Sequence, residues 1–249
     1  MCGIVGIFKR QSPVDVTALE AGVARLVHRG PDDRGTFVDG SFGMGHTRLS
    51  IIDLAGGHQP LQTADAQLTL IANGEIYNFV ELRAELEARG HHFRTHSGSE
   101  VILHAYREYG ERFLTRILGM FAFALYDAPR ERLILGRDRL GIKPLFFAPQ
   151  ASGLAFASEI KGLLPLLDEP PPIDPLGLAA YLQNSSPPGP GPSSRGSSAT
   201  LRRARATATL RSPRQVERSI RRSSALSSLW RRRSRQASAH SSKAALSEM

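Results

Sequence analysis

Cysteine and long apolar runs are scarce in this chain of 249 residues. A single cysteine excludes an internal disulfide framework. The best apolar stretch, Met120-Phe121-Ala122-Phe123-Ala124-Leu125-Tyr126, falls far short of the ~20 residues that cross a bilayer. The first residues also lack a basic segment followed by an apolar stretch and a cleavage site. We therefore expect a cytoplasmic protein without a membrane partner.

The positive charge of the chain is confined to its C-terminal part. Residues 1–184 have a net charge of −3, whereas residues 185–249 have a net charge of +12. This second segment holds 17 serines and 13 arginines among its 65 residues. Such a composition buries too little apolar surface to offset its conformational entropy, so it predicts a disordered basic tail over 185–249.

Two interpretations of this tail stay open. One is a truncation or frameshift product, because translation of GC-rich coding sequence in the wrong frame gives Ser, Arg, Ala and Pro; we favour it. The other is a polybasic arm for nucleic acid or acidic lipid. Trp230 is the one aromatic residue of the tail, so base stacking is poorly supported and a nucleic-acid partner is not expected.

The first 184 residues have the composition and patterning of a folded α+β protein. Residues 1–166 suit one globular domain, and 167–184 read as a proline-rich linker followed by a short helix. Helical spacing at Leu19 and Val23 predicts a first helix, and two more are predicted at 78–89 and before Gly110. Strands are predicted at 2–9, 43–49, 68–72, 120–126, 133–136, 145–148 and 154–157.

Cys2 lies one peptide bond from the start of the chain. Removal of Met1 would place a free α-amine beside the thiol, and such an amine titrates near ~7.7–8.0, so it can accept a proton at neutral pH. Nucleophile and general base would then be one residue. The alternative is that Cys2 is simply a small apolar residue that begins a buried strand.

Six motifs decide between these interpretations by their fixed order along the chain. They are Met1-Cys2-Gly3-Ile4-Val5-Gly6-Ile7-Phe8, His28-Arg29-Gly30-Pro31-Asp32, His46-Thr47-Arg48-Leu49-Ser50-Ile51-Ile52-Asp53, Asn73-Gly74-Glu75-Ile76-Tyr77-Asn78, Gly119-Met120-Phe121-Ala122-Phe123-Ala124 and Gly136-Arg137-Asp138-Arg139-Leu140-Gly141-Ile142-Lys143-Pro144-Leu145. Together they resemble the class II glutamine amidotransferase (glutaminase) domain of asparagine synthetases of the B type. The resemblance extends through about residue 182 and implies a four-layer αββα N-terminal-nucleophile hydrolase fold.

The resemblance also implies the active site and the reaction, which is hydrolysis of the glutamine side-chain amide for asparagine biosynthesis. It gives Cys2 as the nucleophile, Asn73 and Gly74 as the oxyanion donors, and Arg48, Leu49, Ile52, Glu75 and position 98 as further substrate-binding residues. Without the resemblance, Asn73-Gly74 would be read as a type I′ hairpin turn, which is compatible with the donor role because a turn can present both donors. Arg48 and Glu75 would be read as surface ion pairs.

Position 98 departs from the family pattern. The family has Ser-Asp-x-Glu-Val where this chain has Ser97-Gly98-Ser99-Glu100-Val101. The aspartate that holds the ammonium group of glutamine is thus replaced by Gly98. A charge-assisted contact of about 1.5–3 kcal/mol is lost, so we expect weaker glutamine binding unless Glu75 or Glu100 compensates.

The remaining polar clusters predict no further site. His91, His92 and His96 lack partners at metal-ligand spacing, so no metal is expected. Asp32, Asp33 and Arg34 are read as a turn with salt bridges.

ATP and Mg²⁺ are expected only for a synthetase domain, which this chain lacks and which could lie on another chain. The alternative function is a catalytically weak amidotransferase-like module whose basic tail binds nucleic acid or acts as a scaffold. The sequence determines neither the ammonia acceptor nor the oligomeric state.

Overall fold

The computed structural model describes residues 1–50, 57–170, 172, 175–184, 202–203 and 208–211. Its helices are α1 (Val16–Ala24), α2 (Phe79–Ala88), α3 (Val101–Tyr109), α4 (Ile160–Leu163) and α5 (Pro175–Asn184). Its strands are β1 (Gly3–Lys9), β2 (Asp33–Asp39), β3 (Phe42–Arg48), β4 (Leu61–Gln62), β5 (Leu68–Ile76), β6 (Gly119–Asp127), β7 (Arg132–Arg137), β8 (Phe146–Gln150), β9 (Gly153–Ala157), β10 (Arg202–Arg203) and β11 (Ala208–Arg211).

The strands form two antiparallel sheets. The first has the order β10-β8-β9-β1-β3-β2, and the second has the order β11-β7-β6-β5-β4. β1 lies inside the first sheet, where it pairs with both β3 and β9. β5 has the same position in the second sheet, because it pairs with β6 along its whole length and with β4 near its start. The residues at the two ends of β1 and β5 are therefore fixed by neighbouring strands.

Three apolar layers hold four layers of secondary structure together. The outer face of the first sheet packs on α1 and α4 through residues such as Val5, Leu19 and Leu163. The inner faces of the two sheets meet around Ile4, Ile71 and Phe156. The outer face of the second sheet packs on α2 and α3. This arrangement is the predicted αββα sandwich, and strand alternation explains it, because Ile4 and Val5 point to opposite faces of β1.

Most predicted elements are confirmed, and the structure decides against two turns that the local sequence favours near the site. The strand predicted at 68–72 continues through Ile76, so Asn73 and Gly74 lie inside β5 and not in a hairpin turn. Asp33 and Arg34 begin β2, where Asp33 lies opposite Arg48, and so they do not form a turn. In both cases a neighbouring strand supplies the pairing that the local sequence does not reveal.

Two short segments of the basic tail, 202–203 and 208–211, lie among the described residues. The backbone of β10 pairs with β8, and the backbone of β11 pairs with β7. Each segment thus extends one of the two sheets. The rest of the serine- and arginine-rich tail lies outside the described residues, so its predicted disorder, its origin and the nucleic-acid-binding alternative stay predictions. Within the described ranges, no helix has the length and apolar character needed to cross a bilayer.

The central layer should carry much of the stability. Phe42 is fully buried there and stacks on Tyr126 with 4.2 Å between ring centroids. Phe42→Ala leaves a cavity between the sheets, so we expect the free energy of unfolding to fall by about 3–5 kcal/mol in chemical denaturation. Val38→Ala, on the neighbouring strand at 40% exposure, should change it by less than about 0.5 kcal/mol. Equal effects of the two substitutions would contradict the assigned core.

Candidate active site

The central layer changes from apolar to polar at one end. On β1, β3 and β5 the inward-facing residues alternate along the strand, and Ile4, Met44 and Ile71 belong to the apolar part. Two residues further toward that end, the same strand faces carry polar or reactive side chains. They are Cys2 before β1, His46 and Arg48 on β3, and Asn73 and Glu75 on β5. The structure therefore brings the predicted site residues of three strands to one place.

The thiol of Cys2 lies against the backbone that follows β3. The Leu49 N–H donates to Cys2 Sγ at 3.5 Å, and the thiol lies 3.8 Å from the Leu49 carbonyl oxygen. The Cys2 carbonyl accepts a hydrogen bond from Arg29 Nε at 3.0 Å. Arg29 is buried, and its Nη1 donates to Glu159 at 2.7 Å. The cysteine is thus fixed from both sides, and the predicted involvement of Leu49 is a backbone contact.

Asn73 presents an unpaired donor in the interior. Its side chain is only 2% exposed, and within the described residues its Nδ2 has no hydrogen-bond partner. A buried donor without a partner costs about 1–3 kcal/mol, so such a group needs a functional reason. An amide N–H₂ held ready beside a nucleophile can stabilise a negative charge that develops during the reaction. Asn73 therefore offers a buried donor at the same end of the central layer as Cys2.

Gly74 allows β5 to approach β6 closely. Its φ is +147°, and a Cβ atom there would lie 2.1 Å from the Met120 carbonyl oxygen. Any other residue would push the two strands apart, so glycine is required by packing as well as by access to its N–H. The Ala72 N–H points to the side of β5 that faces β4. Along an antiparallel strand, residues two apart direct their N–H groups to the same side, so the Gly74 N–H points there as well. β4 does not extend as far as Gly74, because its last pair in that direction joins Leu61 to Leu70.

Two charged groups flank this end of the layer. Arg48 is buried and lies on the same face of β3 as His46. Glu75 is half-buried; burial raises its pKa, while the nearby Lys143 ammonium acts in the opposite direction. Lys143 is itself buried, and its Nζ lies 3.7 Å from Met1 Sδ. Sequence reasoning missed Lys143 as a site residue, although it lies in the last of the six motifs.

Gly98 lies in the turn before α3, against the ring of Phe79. A Cβ atom on Gly98 would be 3.3 Å from this ring, which requires only a small adjustment, and the φ of Gly98 is outside the left-handed region. The backbone at this position therefore accepts an aspartate. Phe79 begins α2 just after β5 ends at Ile76, so Gly98 packs near the end of the strand that carries Glu75.

Glu100 serves the fold rather than the substrate. Its carboxylate accepts hydrogen bonds from the Arg94 and Thr95 N–H groups at 2.8 Å each and from the Thr95 hydroxyl at 2.6 Å. His104 lies 3.4 Å away. Burial opposes ionisation of Glu100, but these hydrogen bonds outweigh it and lower its pKa to about 2. Both oxygens are thus used internally, so Glu100 does not replace the missing aspartate.

The other candidate residues are accounted for as follows. Ile52 falls in 51–56, outside the described residues. His91 pairs with Glu108 at 3.0 Å and packs edge-on against His104. In the described part of the chain, no group of three histidine, cysteine or acidic side chains could hold a metal ion.

Comparison with known proteins gives the family. A family model described as a glutamine amidotransferase domain matches residues 1–209. The chain belongs to this glutamine amidotransferase family. The match extends past the predicted boundary at residue 166 and into the serine- and arginine-rich segment that contains β10 and β11.

Two relatives with similar sequences are named as asparagine synthetases. Asparagine synthetase [glutamine-hydrolyzing] 3 of Bacillus subtilis is 40% identical over 197 residues, which is 77% of this chain and 32% of that protein. Asparagine synthetase B [glutamine-hydrolyzing] of Escherichia coli is 43% identical over 169 residues, covering 67% and 30% respectively. The amidotransferase chain thus spans about a third of the length of these relatives.

A solved structure supports the fold. Glutamine phosphoribosylpyrophosphate amidotransferase from B. subtilis superposes with a TM-score of 0.56 at 24% identity, over 65% of this chain and 43% of that one. This likeness shows a shared fold and agrees with the predicted αββα arrangement.

The Glu100 network predicts a specific pH dependence of stability. Its carboxyl has a lower pKa in the folded chain than in the unfolded chain, so it contributes fully above about pH 4.5 and its contribution is lost as the pH falls toward 2. Glu100→Gln should lower the free energy of unfolding at pH 7 by roughly 3 kcal/mol, with a smaller difference at pH 3. Glu87→Gln, an exposed control on α2, should show little effect at either pH. A Glu100→Gln effect that is constant from pH 7 to pH 3 would argue against this assignment.

Proposed function

We propose that this amidotransferase domain hydrolyses the side-chain amide of glutamine to glutamate and ammonia, using Cys2 as the nucleophile. The observation that carries the proposal is the unpaired, buried Asn73 amide at the same end of the central layer as the Cys2 thiol. Acyl transfer requires a nucleophile and a preorganised hydrogen-bond donor beside it.

The reaction follows from these groups once Met1 is removed. The α-amine of Cys2 accepts the thiol proton, and Sγ attacks the amide carbon to give a tetrahedral intermediate. Its oxyanion receives hydrogen bonds from Asn73 Nδ2 and the Gly74 N–H. The α-ammonium returns the proton to the leaving nitrogen, so ammonia departs and a thioester remains. Water, deprotonated by the same amine, attacks the thioester and releases glutamate with the thiol restored.

The charged flanks of the site suit the other end of a glutamine molecule. We propose that Arg48 binds the α-carboxylate, because its planar guanidinium can donate two parallel hydrogen bonds. Glu75 would accept from the α-ammonium, with the backbone at Ile52 as a further contact. Among the residues that the structure describes, Gly98 supplies no carboxylate and Glu100 is engaged in the fold, which leaves Glu75 for this role and predicts weak glutamine binding.

The ammonia acceptor is proposed from the relatives. Since they are asparagine synthetases more than twice as long as this chain, we propose that ammonia passes to a synthetase unit that uses ATP and Mg²⁺; the hydrolysis itself needs no cofactor. Four exposed apolar side chains surround the site end of the second sheet and would suit such a partner: Tyr77, Leu118, Leu140 and Ile142.

A cytoplasmic location is proposed because the reactive thiol must stay reduced.

Two substitutions test the reaction. Cys2→Ala should reduce ammonia release from glutamine to the detection limit while the melting temperature stays within about 2 °C of the unsubstituted protein, because the thiol makes only long, weak contacts with the Leu49 backbone among the hydrogen bonds of the described residues. Asn73→Ala should lower kcat by about 10²–10³-fold, the usual cost of one oxyanion donor. Wild-type activity in Cys2→Ala, or an intact Met1 seen by mass spectrometry in an active preparation, would refute the mechanism.

Restoring a carboxylate at position 98 tests the substrate orientation. The backbone there accepts an aspartate, so Gly98→Asp should place a second acceptor near the ammonium group and lower the KM for glutamine about tenfold with little change in kcat. Ser99→Asp adds the same charge to the same turn at the neighbouring position and is the matched control. If Gly98→Asp leaves KM unchanged, or if the two variants behave alike, the ammonium group does not bind at this turn.

A further inference from the structure

The peptide before Asn73 is held by an unusual partner. The Ala72 N–H donates to Gln59 Oε1 at 2.6 Å, and Gln59 Nε2 donates to the Ala72 carbonyl oxygen at 3.2 Å. A side-chain amide thus makes both hydrogen bonds that a paired strand residue would make. Gln59 is buried, so the two bonds are protected from competition by water.

The register explains why a side chain is needed there. β4 pairs Leu61 with Leu70 and Gln62 with Thr69, so continuation of the ladder would bring residue 59 opposite Ala72. Residue 60 is a proline, which lacks an N–H, and the backbone of residue 59 turns away toward the other sheet. A Cβ atom on Gly35 of β2 would lie 2.2 Å from the Gln59 carbonyl oxygen. Gln59 therefore spans from β2 in the first sheet to β5 in the second.

A second side chain from the first sheet acts on the same carbonyl group. His46 Nε2 lies 3.1 Å from the Ala72 oxygen, and because a carbonyl oxygen only accepts, the Nε2 of the imidazole carries the proton. Burial is the main reason that the pKa of His46 falls to about 4, so the ring is neutral at physiological pH. The Ala72 carbonyl thus receives two hydrogen bonds from residues anchored on the first sheet, which also holds Cys2.

We propose that Gln59 is a positioning residue for the oxyanion donors. Gln59 holds the two peptide groups on either side of Ala72, and the second of them joins Ala72 to Asn73. The next N–H on the same side of β5 is that of Gly74. Beyond the end of β4, this side of β5 has no strand neighbour among the described residues, so Gln59 replaces the missing strand. It fixes the donors of the second sheet relative to the nucleophile of the first. This inference rests on the proposed hydrolysis, because it assigns a role within that site.

The chain offers a matched pair of glutamines for the test. Gln62 on β4 also donates across to β5, from its Nε2 to Thr69 Oγ1 at 3.2 Å, but lies further from the site. Gln59→Met and Gln62→Met each replace an amide by an apolar side chain of similar length. Gln59→Met should lower kcat on the order of tenfold to a hundredfold with KM for glutamine changed less than about twofold, because displaced donors act on the transition state and not on bound substrate. Gln62→Met should leave both constants near the wild-type values.

Binding of an aldehyde separates positioning from a general structural role. The aldehyde analogue of glutamine, glutamate γ-semialdehyde, adds to the Cys2 thiol and places a tetrahedral oxygen at the oxyanion donors. Its inhibition constant should rise in Gln59→Met by the same factor as kcat falls, because both depend on the placed donors. The rate of Cys2 alkylation by iodoacetamide, which forms no oxyanion, should not change. If Gln59→Met does not fold, Gln59→Glu keeps the shape and the acceptor for the Ala72 N–H, and should show the same pattern with a smaller loss.

The outcomes separate the two hypotheses. If unsubstituted protein with Met1 removed releases no ammonia from glutamine, the proposed function fails. If that protein is active but Gln59→Met matches Gln62→Met, or raises KM as much as it lowers kcat, Gln59 has no positioning role while the proposed function stands.

Discussion

Everything at this site depends on face-to-face packing of two sheets whose shared layer is apolar over most of its length and polar at one end. Strand alternation makes this possible, because each inward position is followed two residues later by another on the same face. Met44 and Ile71 fill the layer, and Arg48 and Asn73 follow on the same strands. Core and site are therefore parts of one surface, and the core sets the distance between nucleophile and donors.

β5 loses its neighbouring strand on one side where β4 ends. A strand edge without a neighbour leaves N–H groups unpaired, which costs stability in the interior. At Ala72 the cost is avoided by two side chains that supply the missing partners: Gln59, which lies just before β4, and His46, which lies on the other sheet. At Gly74 the open edge is the useful feature, because an N–H directed away from the sheet can bind an oxygen of the substrate.

In the turn before α3, the family pattern identifies a missing residue, and the structure shows whether a neighbouring residue can replace it. The pattern revealed that an aspartate is missing at Gly98, and it left Glu100 as a possible replacement. The hydrogen bonds of Glu100 with the Arg94 and Thr95 backbone exclude that possibility. A list of acidic residues near a site does not reveal which of them are already used by the fold.

The sequence by itself determined the family, the main helices and most strands, because motifs and apolar periodicity are local properties of the chain. It placed the strand at 68–72 correctly but read Asn73-Gly74 as a turn and Asp33 as part of another, since local rules favour turns at such residues. Only the tertiary structure decided these points. β6 pairs with Asn73, β3 pairs with Asp33, and Gln59 reaches Ala72 from thirteen residues away. Partners brought together by folding override local preference, because burial and pairing with a neighbouring strand outweigh the small differences in backbone propensity.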